Sequence, residues 1–250
     1  MSHVEDFRRL HDDFLLLPNA WDAASAAALV RAGFPAVGTT SLGVAAGAGL
    51  TDGLGLARAE TVALAGRLAA LPVPVTVDVE GGFSTDPGAV RELGAELADM
   101  GVAGVNIEDA RENATLAEPA AHARLVAAIG ESGLFVNART DTYWQGVNRE
   151  STLDRVRAYV DAGADGVFVP GLTERADIEP LVAAAGVPVN LLFRPGMSLA
   201  AVRELGVRRV STGSLLFRAA LGAALEIAAA VRDDAPLRQE VPTYQQIQDL

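Results

Sequence analysis

The chain contains no cysteine and no lysine: the Lys+Arg total is 20, and all of these are arginine. Without cysteine there are no disulfides, thiolate metal sites or cysteine nucleophile. Without lysine there is no Schiff-base amine and no covalently attached pyridoxal phosphate. The 3 histidines, His3, His11 and His122, are scattered. None lies in a motif considered below, which argues against a histidine base or metal ligand. Positive charge is in deficit, with a formal net charge of −12. This argues against nucleic acid or anionic lipid as the main partner. It leaves room for a small anionic substrate held by local positive groups or by a metal. There is no apolar run of membrane-spanning length, and the N-terminal MSHVEDFRRLHDDF has no signal-peptide core. A soluble, cytoplasmic protein with no membrane partner is the simplest expectation. The chemistry then falls to carboxylates, arginine, hydroxyls, amides, the backbone and any bound ion.

Half of the 250 residues are hydrophobic. Length alone allows one domain or two. Short apolar or β-branched runs predict strands near 14–18, 36–41, 73–79, 104–109, 134–140, 166–171, 188–193 and 208–213. Ala-rich segments predict helices near 22–32, 58–70, 87–100, 118–131, 151–162, 174–184, 198–205 and 214–232. The phrase "helix, Ala-Gly or Gly, apolar strand" recurs along the chain. Eight strands alternating with eight helices fit an α/β chain folded as one (β/α)8 barrel over residues 1–250. A doubly wound open sheet is the alternative, weakened by the lack of a G-x-G-x-x-G at a first strand–helix turn. Residues 233–250 read as a polar tail or a docking arm.

The strands are apolar, yet polar residues gather at their carboxyl ends, where barrel active sites lie. The stretch 76-TVDVEGGFS-84 places Asp78 and Glu80 one residue apart. In a strand they would point to the same side. Two like charges there require water or a positive partner between them. Glu108 ends the neighbouring strand, and Asp52, in the loop 47-GAGLTDGLG-55, can cover the same point. Without cysteine or a suitably placed histidine, Mg2+ or Mn2+ is the natural cation for such acids. A solvated turn is the competing reading. Arg139, in NARTD, pairs structurally with Glu108, Asp109 or Asp141, or captures a substrate carboxylate through both nitrogens. The small residues of 39-TTSLGVAAG-47 offer backbone N–H groups and hydroxyls to a second anionic group. Asp22, Asp109 and Ser214 read as helix caps or near-caps.

Taken together, TTSLGVAAG, TDG, DVEGGF, GVNIEDA, NARTD and VPVNLL resemble the isocitrate lyase/phosphoenolpyruvate mutase superfamily. The motifs occur in family order from about residue 15 to about residue 225. The resemblance implies a TIM barrel with a C-terminal helix swapped between neighbours in a homo-oligomer, a dimer or more usually a tetramer. It also implies Mg2+ and a small carboxylate substrate of the 2-oxo acid or phosphoenolpyruvate type. By the same resemblance Asp78 binds the metal directly, and Glu80, Glu108 and Asp52 hold its water shell. Thr40, Ser41 and Leu42 grip the substrate carboxylate, and Arg139 and Asn190 contact the substrate.

The chain departs from the family in one loop. The lyases carry K-[KR]-C-G-H after the E-D motif, with the cysteine as acid/base; here 108-EDARENATLAEP-119 is shorter and has no Lys, Cys or His. Arg111 and Asn113 echo a Lys and an Asn of the phosphonomutases, but arginine does not replace lysine as a proton donor. The expected function is a Mg2+-dependent carbon–carbon lyase or decarboxylase. It would act on a small 2-oxo or 2-hydroxy carboxylate through a pyruvate-like enolate. Arg139, Glu108 and Asp52 would stand nearest the chemistry, with Tyr143, Glu112 or a metal-bound water as proton donor. The alternatives are a phosphoenolpyruvate/phosphonopyruvate mutase, a phosphonopyruvate hydrolase, and a 2-oxo acid binding protein with little turnover.

Overall fold

The structure is a computed structural model and describes residues 2–238 and 240–250. It opens with helix α1 (His3–Leu10), fixed at its start by a reciprocal capping box between Ser2 and Glu5. Eight parallel strands follow: β1 (Leu15–Leu17), β2 (Val37–Thr39), β3 (Val75–Asp78), β4 (Gly104–Glu108), β5 (Phe135–Arg139), β6 (Gly166–Phe168), β7 (Val189–Leu192) and β8 (Arg209–Ser211). From β2 to β8 each pairs in parallel with the next.

The barrel closes through β1. Its Leu15–Leu17 portion pairs with β8, and after Pro18 a two-residue continuation, Asn19–Ala20, pairs with β2. Asn19 clasps the seam. Its Nδ2 donates to the Thr39 carbonyl at 2.7 Å, and its Oδ1 accepts from the Thr212 and Gly213 amides at 3.0 and 2.9 Å. The polar rim residue Asn19 is therefore a closure device.

The helices between strands are α2 (Ala23–Arg31), α3 (Ser41–Gly47), α4 (Arg58–Leu68), α5 (Pro87–Asp99), α6 (Pro119–Gly130), α7 (Thr142–Gln145), α8 (Thr152–Asp161), α9 (Arg175–Ala185) and α10 (Leu199–Glu204). Helices α11 (Leu215–Arg232) and α12 (Tyr244–Gln248) end the chain. All eight expected strands and all eight expected helices are present, so the (β/α)8 barrel is the fold. The sequence reading had no helix at α1, α3, α7 or α12. Helix α1 is mostly charged and buries only Phe7, so it carries no broad apolar stripe. Helix α3 occupies SLGVAAG, read as a turn because its small residues carry little periodicity.

Alternation along each strand sorts the side chains. On β3 and β4, Val77, Val79, Val105 and Ile107 pack with α5 and α6 in the largest apolar cluster. Between them Thr76, Asp78, Asn106 and Glu108 face the barrel interior. Phe7 closes the amino-terminal end against Leu15, Leu17, Ala36, Ala103 and Phe135. No helix among the described residues is long and apolar enough to cross a membrane.

Candidate active site

The acids expected to converge do so at the carboxyl end of β3 and β4. Asp78 is the last residue of β3. The chain then leaves the strand, and Glu80 adopts a left-handed backbone, φ +49°. The strand-alternation argument that set Asp78 and Glu80 side by side is thus corrected: they meet across a turn. The Glu80 amide donates to Asp78 Oδ1 at 3.2 Å. Its carbonyl accepts from the Glu108 amide at 2.8 Å, docking the turn on β4. The two glycines have separate reasons. A Cβ on Gly81 would lie 2.6 Å from Arg111 Nη1, and Gly82 sits at φ +88°, where side chains are strained.

Four carboxylates share this space. Asp78, Glu80 and Glu108 are buried. Asp52 approaches from its loop, its carboxylate held by Ser41 and the Gly53 backbone. Glu80 Oε2 accepts from the Gly55 amide at 2.8 Å. The Ser41 amide reaches Asp78 Oδ2 at 3.5 Å. Asp52 Oδ1 and Glu80 Oε1 are buried without a hydrogen-bond partner. Burial, with smaller effects of the neighbouring carboxylates, raises Glu80 to about 7. Burial also raises Glu108, to about 8, with Arg139 opposing. Asp52 is raised by burial and by Asp78.

Arg139, at the end of β5, is the nearby cation. Its Nη1 lies 2.7 Å from Glu108 Oε2. Its Nε and Nη2 donate to Asp141 at 2.6 and 2.9 Å. Three of five guanidinium donors are thereby engaged, leaving one N–H each on Nη1 and Nη2. The expected ion pairing to Glu108 and Asp141 is present; Asp109 is not among its partners.

Asp109 is not a helix cap. It is fully buried and accepts from the Asp141 amide at 2.9 Å, Arg155 Nη1 at 3.0 Å and Tyr159 Oη at 2.7 Å. Arg155 and Tyr159 lie one turn apart on α8 and hold, through Asp109, the backbone that carries Asp141. Sequence reading missed both. The available signal was weak: a charged and an aromatic residue at i and i+4 on a helix face.

Other expected residues occupy different places. Thr40 is buried and N-caps α3 without a side-chain cap bond. Leu42, in the first turn of α3, has only its backbone to offer an anion. Asn190, on β7, accepts from Ser211 Oγ at 3.3 Å, and its Nδ2 has no partner. The Tyr143 hydroxyl bonds Asp177, and its ring lies under Arg149. Glu112 is exposed. The loop after β4 is a short hairpin, Ala110–Arg111 against Thr115–Leu116. Arg111 Nη1 is folded back onto the Ala110 carbonyl at 2.6 Å.

The donor set suits a hard divalent cation. All four acids offer oxygen, two of their oxygens have no protein partner, and Arg139 is shared with Asp141. Among the described residues no three acidic or histidine side chains form a ready-made ligand shell. Mg2+ keeps several waters and takes few carboxylates directly.

The phosphoenolpyruvate phosphomutase family matches the chain over residues 7–232. An uncharacterized protein of Mycobacterium tuberculosis is 45% identical over 237 residues, covering 93% of this chain and 90% of that one. The 2-methylisocitrate lyase of Salmonella typhimurium is 32% identical over 191 residues, covering 70% of this chain and 64% of that one. The crystal structure of a 2,3-dimethylmalate lyase superposes with a TM-score of 0.85 at 26% identity, covering 100% of this chain and 94% of that one. A match over nearly the whole barrel is decisive: this chain belongs to the phosphoenolpyruvate phosphomutase family, within the isocitrate lyase/phosphoenolpyruvate mutase superfamily of lyases and mutases.

Proposed function

We propose that the protein is a Mg2+-dependent carbon–carbon lyase or decarboxylase acting on a small 2-oxo or 2-hydroxy carboxylate. The observation that carries this reading is the group of Asp52, Asp78, Glu80 and Glu108, in which Asp52 Oδ1 and Glu80 Oε1 are buried without a partner and Glu108 pairs with Arg139. Asp78 would hold the metal directly; Glu80, Glu108 and Asp52 would orient its waters. Bound there, Mg2+ supplies a Lewis acid that favours negative charge developing on a substrate oxygen.

The chain's own residues do the rest. Arg139 offers its two remaining N–H groups to a substrate carboxylate and is fixed for that task by Asp141 and Glu108. At the start of α3 the Thr40 amide donates to the Ala20 carbonyl and the Ser41 amide lies toward Asp78, so the Leu42 backbone N–H is the group left to offer an anion, and Asn190 Nδ2 is a further donor. In the metal-free protein burial raises both Glu80 and Glu108, and a bound cation would favour their ionised forms. The hairpin after β4 brings no lysine, cysteine or histidine, so the family's usual loop acid has no counterpart there. Pyruvate or oxalate release from oxaloacetate and substituted malates, with and without Mg2+, tests the reading. Activity that survives Asp78→Ala sinks it.

That same hairpin supports a second reading, a 2-oxo acid binding protein with little turnover. Calorimetry showing Mg2+-dependent oxalate or 2-oxoglutarate binding, with no product formed, favours it.

We also propose a single barrel over residues 1–250 that assembles by exchanging its C-terminal helix. Helix α11 is 18 residues long and buries none of them, while Leu221, Leu225 and Val231 are exposed. The tail after it, a docking arm in this reading, exposes Leu237, Val241, Tyr244 and Ile247. Light scattering on the intact chain and on Leu225→Glu decides this: a monomer in both overturns it.

A further inference from the structure

Below the acids lies a charge that the proposed reaction does not use. Arg209, on β8, is 1% exposed and points into the barrel. Its register partners are Leu15 and Asn190. Its Nη2 donates to Asn106 Oδ1 at 3.2 Å, and its guanidinium lies 5.7 Å from the centre of the Phe7 ring. Nε and Nη1 have no hydrogen-bond partner, and among the described residues no carboxylate stands within ion-pair distance. Guanidinium stays charged in proteins. A buried, unpaired cation is unfavourable unless a field compensates it.

The compensation comes from above. Asn106 is the register partner of Asp78, so the bond to Asn106 anchors the guanidinium beneath the carboxylate at the end of β3. Burial lowers Arg209 to about 9, and Asp78 is the carboxylate whose charge opposes that. The other titratable group facing it, His11, is held neutral: burial and Arg209 itself lower it to about 4. Arg139 is already shared between Glu108 and Asp141. Arg209 is therefore the uncommitted positive charge under the acid cluster.

We infer that Arg209 is a positioning residue acting through Asp78: a built-in counter-charge that steadies the acids when no divalent cation is bound and weakens their affinity for that cation by repulsion. The inference rests on the divalent-cation reading of the acids. Calorimetric titration of Mg2+ and Mn2+ into the metal-free protein tests it in wild type, Arg209→Lys and Arg209→Gln. Arg209→Met serves in place of the glutamine variant if that fails to fold, because its side chain suits Phe7. Loss of the charge should tighten cation binding about tenfold, and Arg209→Lys should stay within about twofold of wild type. Unchanged or weaker binding in the charge-loss variants overturns the counter-charge role. Wild-type protein that binds neither cation overturns the metal reading, and the inference with it.

Discussion

Glu108 and Asp109 are neighbours in sequence, are both buried, and have opposite fates. Asp109 is saturated by the protein: an amide, a guanidinium and a phenol donate to it. Glu108 belongs to a group that the protein leaves short of donors. It has one ion pair, to an arginine shared with Asp141, while Asp52 and Glu80 each keep a buried oxygen without a partner. A fully bonded buried carboxylate is framework, since its stabilisation is complete before any ligand arrives. An under-bonded one stores unfavourable energy that a ligand relieves, and that is how a binding site differs from a core.

Substitutions on the two sides of this contrast should therefore behave differently. The largest effect expected is on turnover. Asp78→Asn should lower the lyase or decarboxylase rate on the order of 10³-fold, through loss of several kcal/mol of Lewis-acid stabilisation. Its melting temperature without metal should fall by less than that of Asp109→Ala, because the lost compensation of Arg209 is set against relieved repulsion from the neighbouring acids. A large melting shift would place Asp78 with Asp109 and break the contrast. Next, Asp109→Ala should cost roughly 3–5 kcal/mol by stranding Arg155 and Tyr159. Calorimetric unfolding should show a melting temperature lower by roughly 10 °C.

The third prediction concerns pH. Folding raises Glu80 from 4.5 to about 7, so protonation favours the folded state. The stabilisation is full below about pH 4.5 and is lost as pH climbs through 7. Metal-free Glu80→Gln should match wild type near pH 4.5 and exceed it at pH 8, by at most about 3 kcal/mol. A pH-independent difference in denaturant titrations would mean that the protein already neutralises Glu80. The smallest effect is expected from Tyr159→Phe, which removes one donor from Asp109 and should cost about 1.5–3 kcal/mol, with Mg2+ affinity unchanged in calorimetry.

Much of this was legible in the residues. Alternating apolar runs and Gly-terminated helices fixed the eight β/α units, because strand and helix periodicity are local properties. Elimination narrowed the chemistry: with no cysteine or lysine, and histidines remote from the motifs, acids at strand ends became the candidates to meet a hard cation or water. The DVEGGF stretch named two of the acids that the fold brings together, but its geometry was misread. Local alternation put Asp78 and Glu80 on one face, whereas the left-handed turn at Glu80 swings its carboxylate to the Gly55 amide. Asp109 was read as a cap because caps are local; its real partners lie 32, 46 and 50 residues away.

By itself, then, the sequence determined the repeating units, the absence of thiol and amine side chains from any site, and the family. The tertiary structure alone decided which buried charges were satisfied. It paired Asp109 with Arg155, shared Arg139 between Glu108 and Asp141, and set Arg209 under Asp78. Such balances depend on distance and desolvation between residues far apart along the chain, and closing the barrel is what sets both.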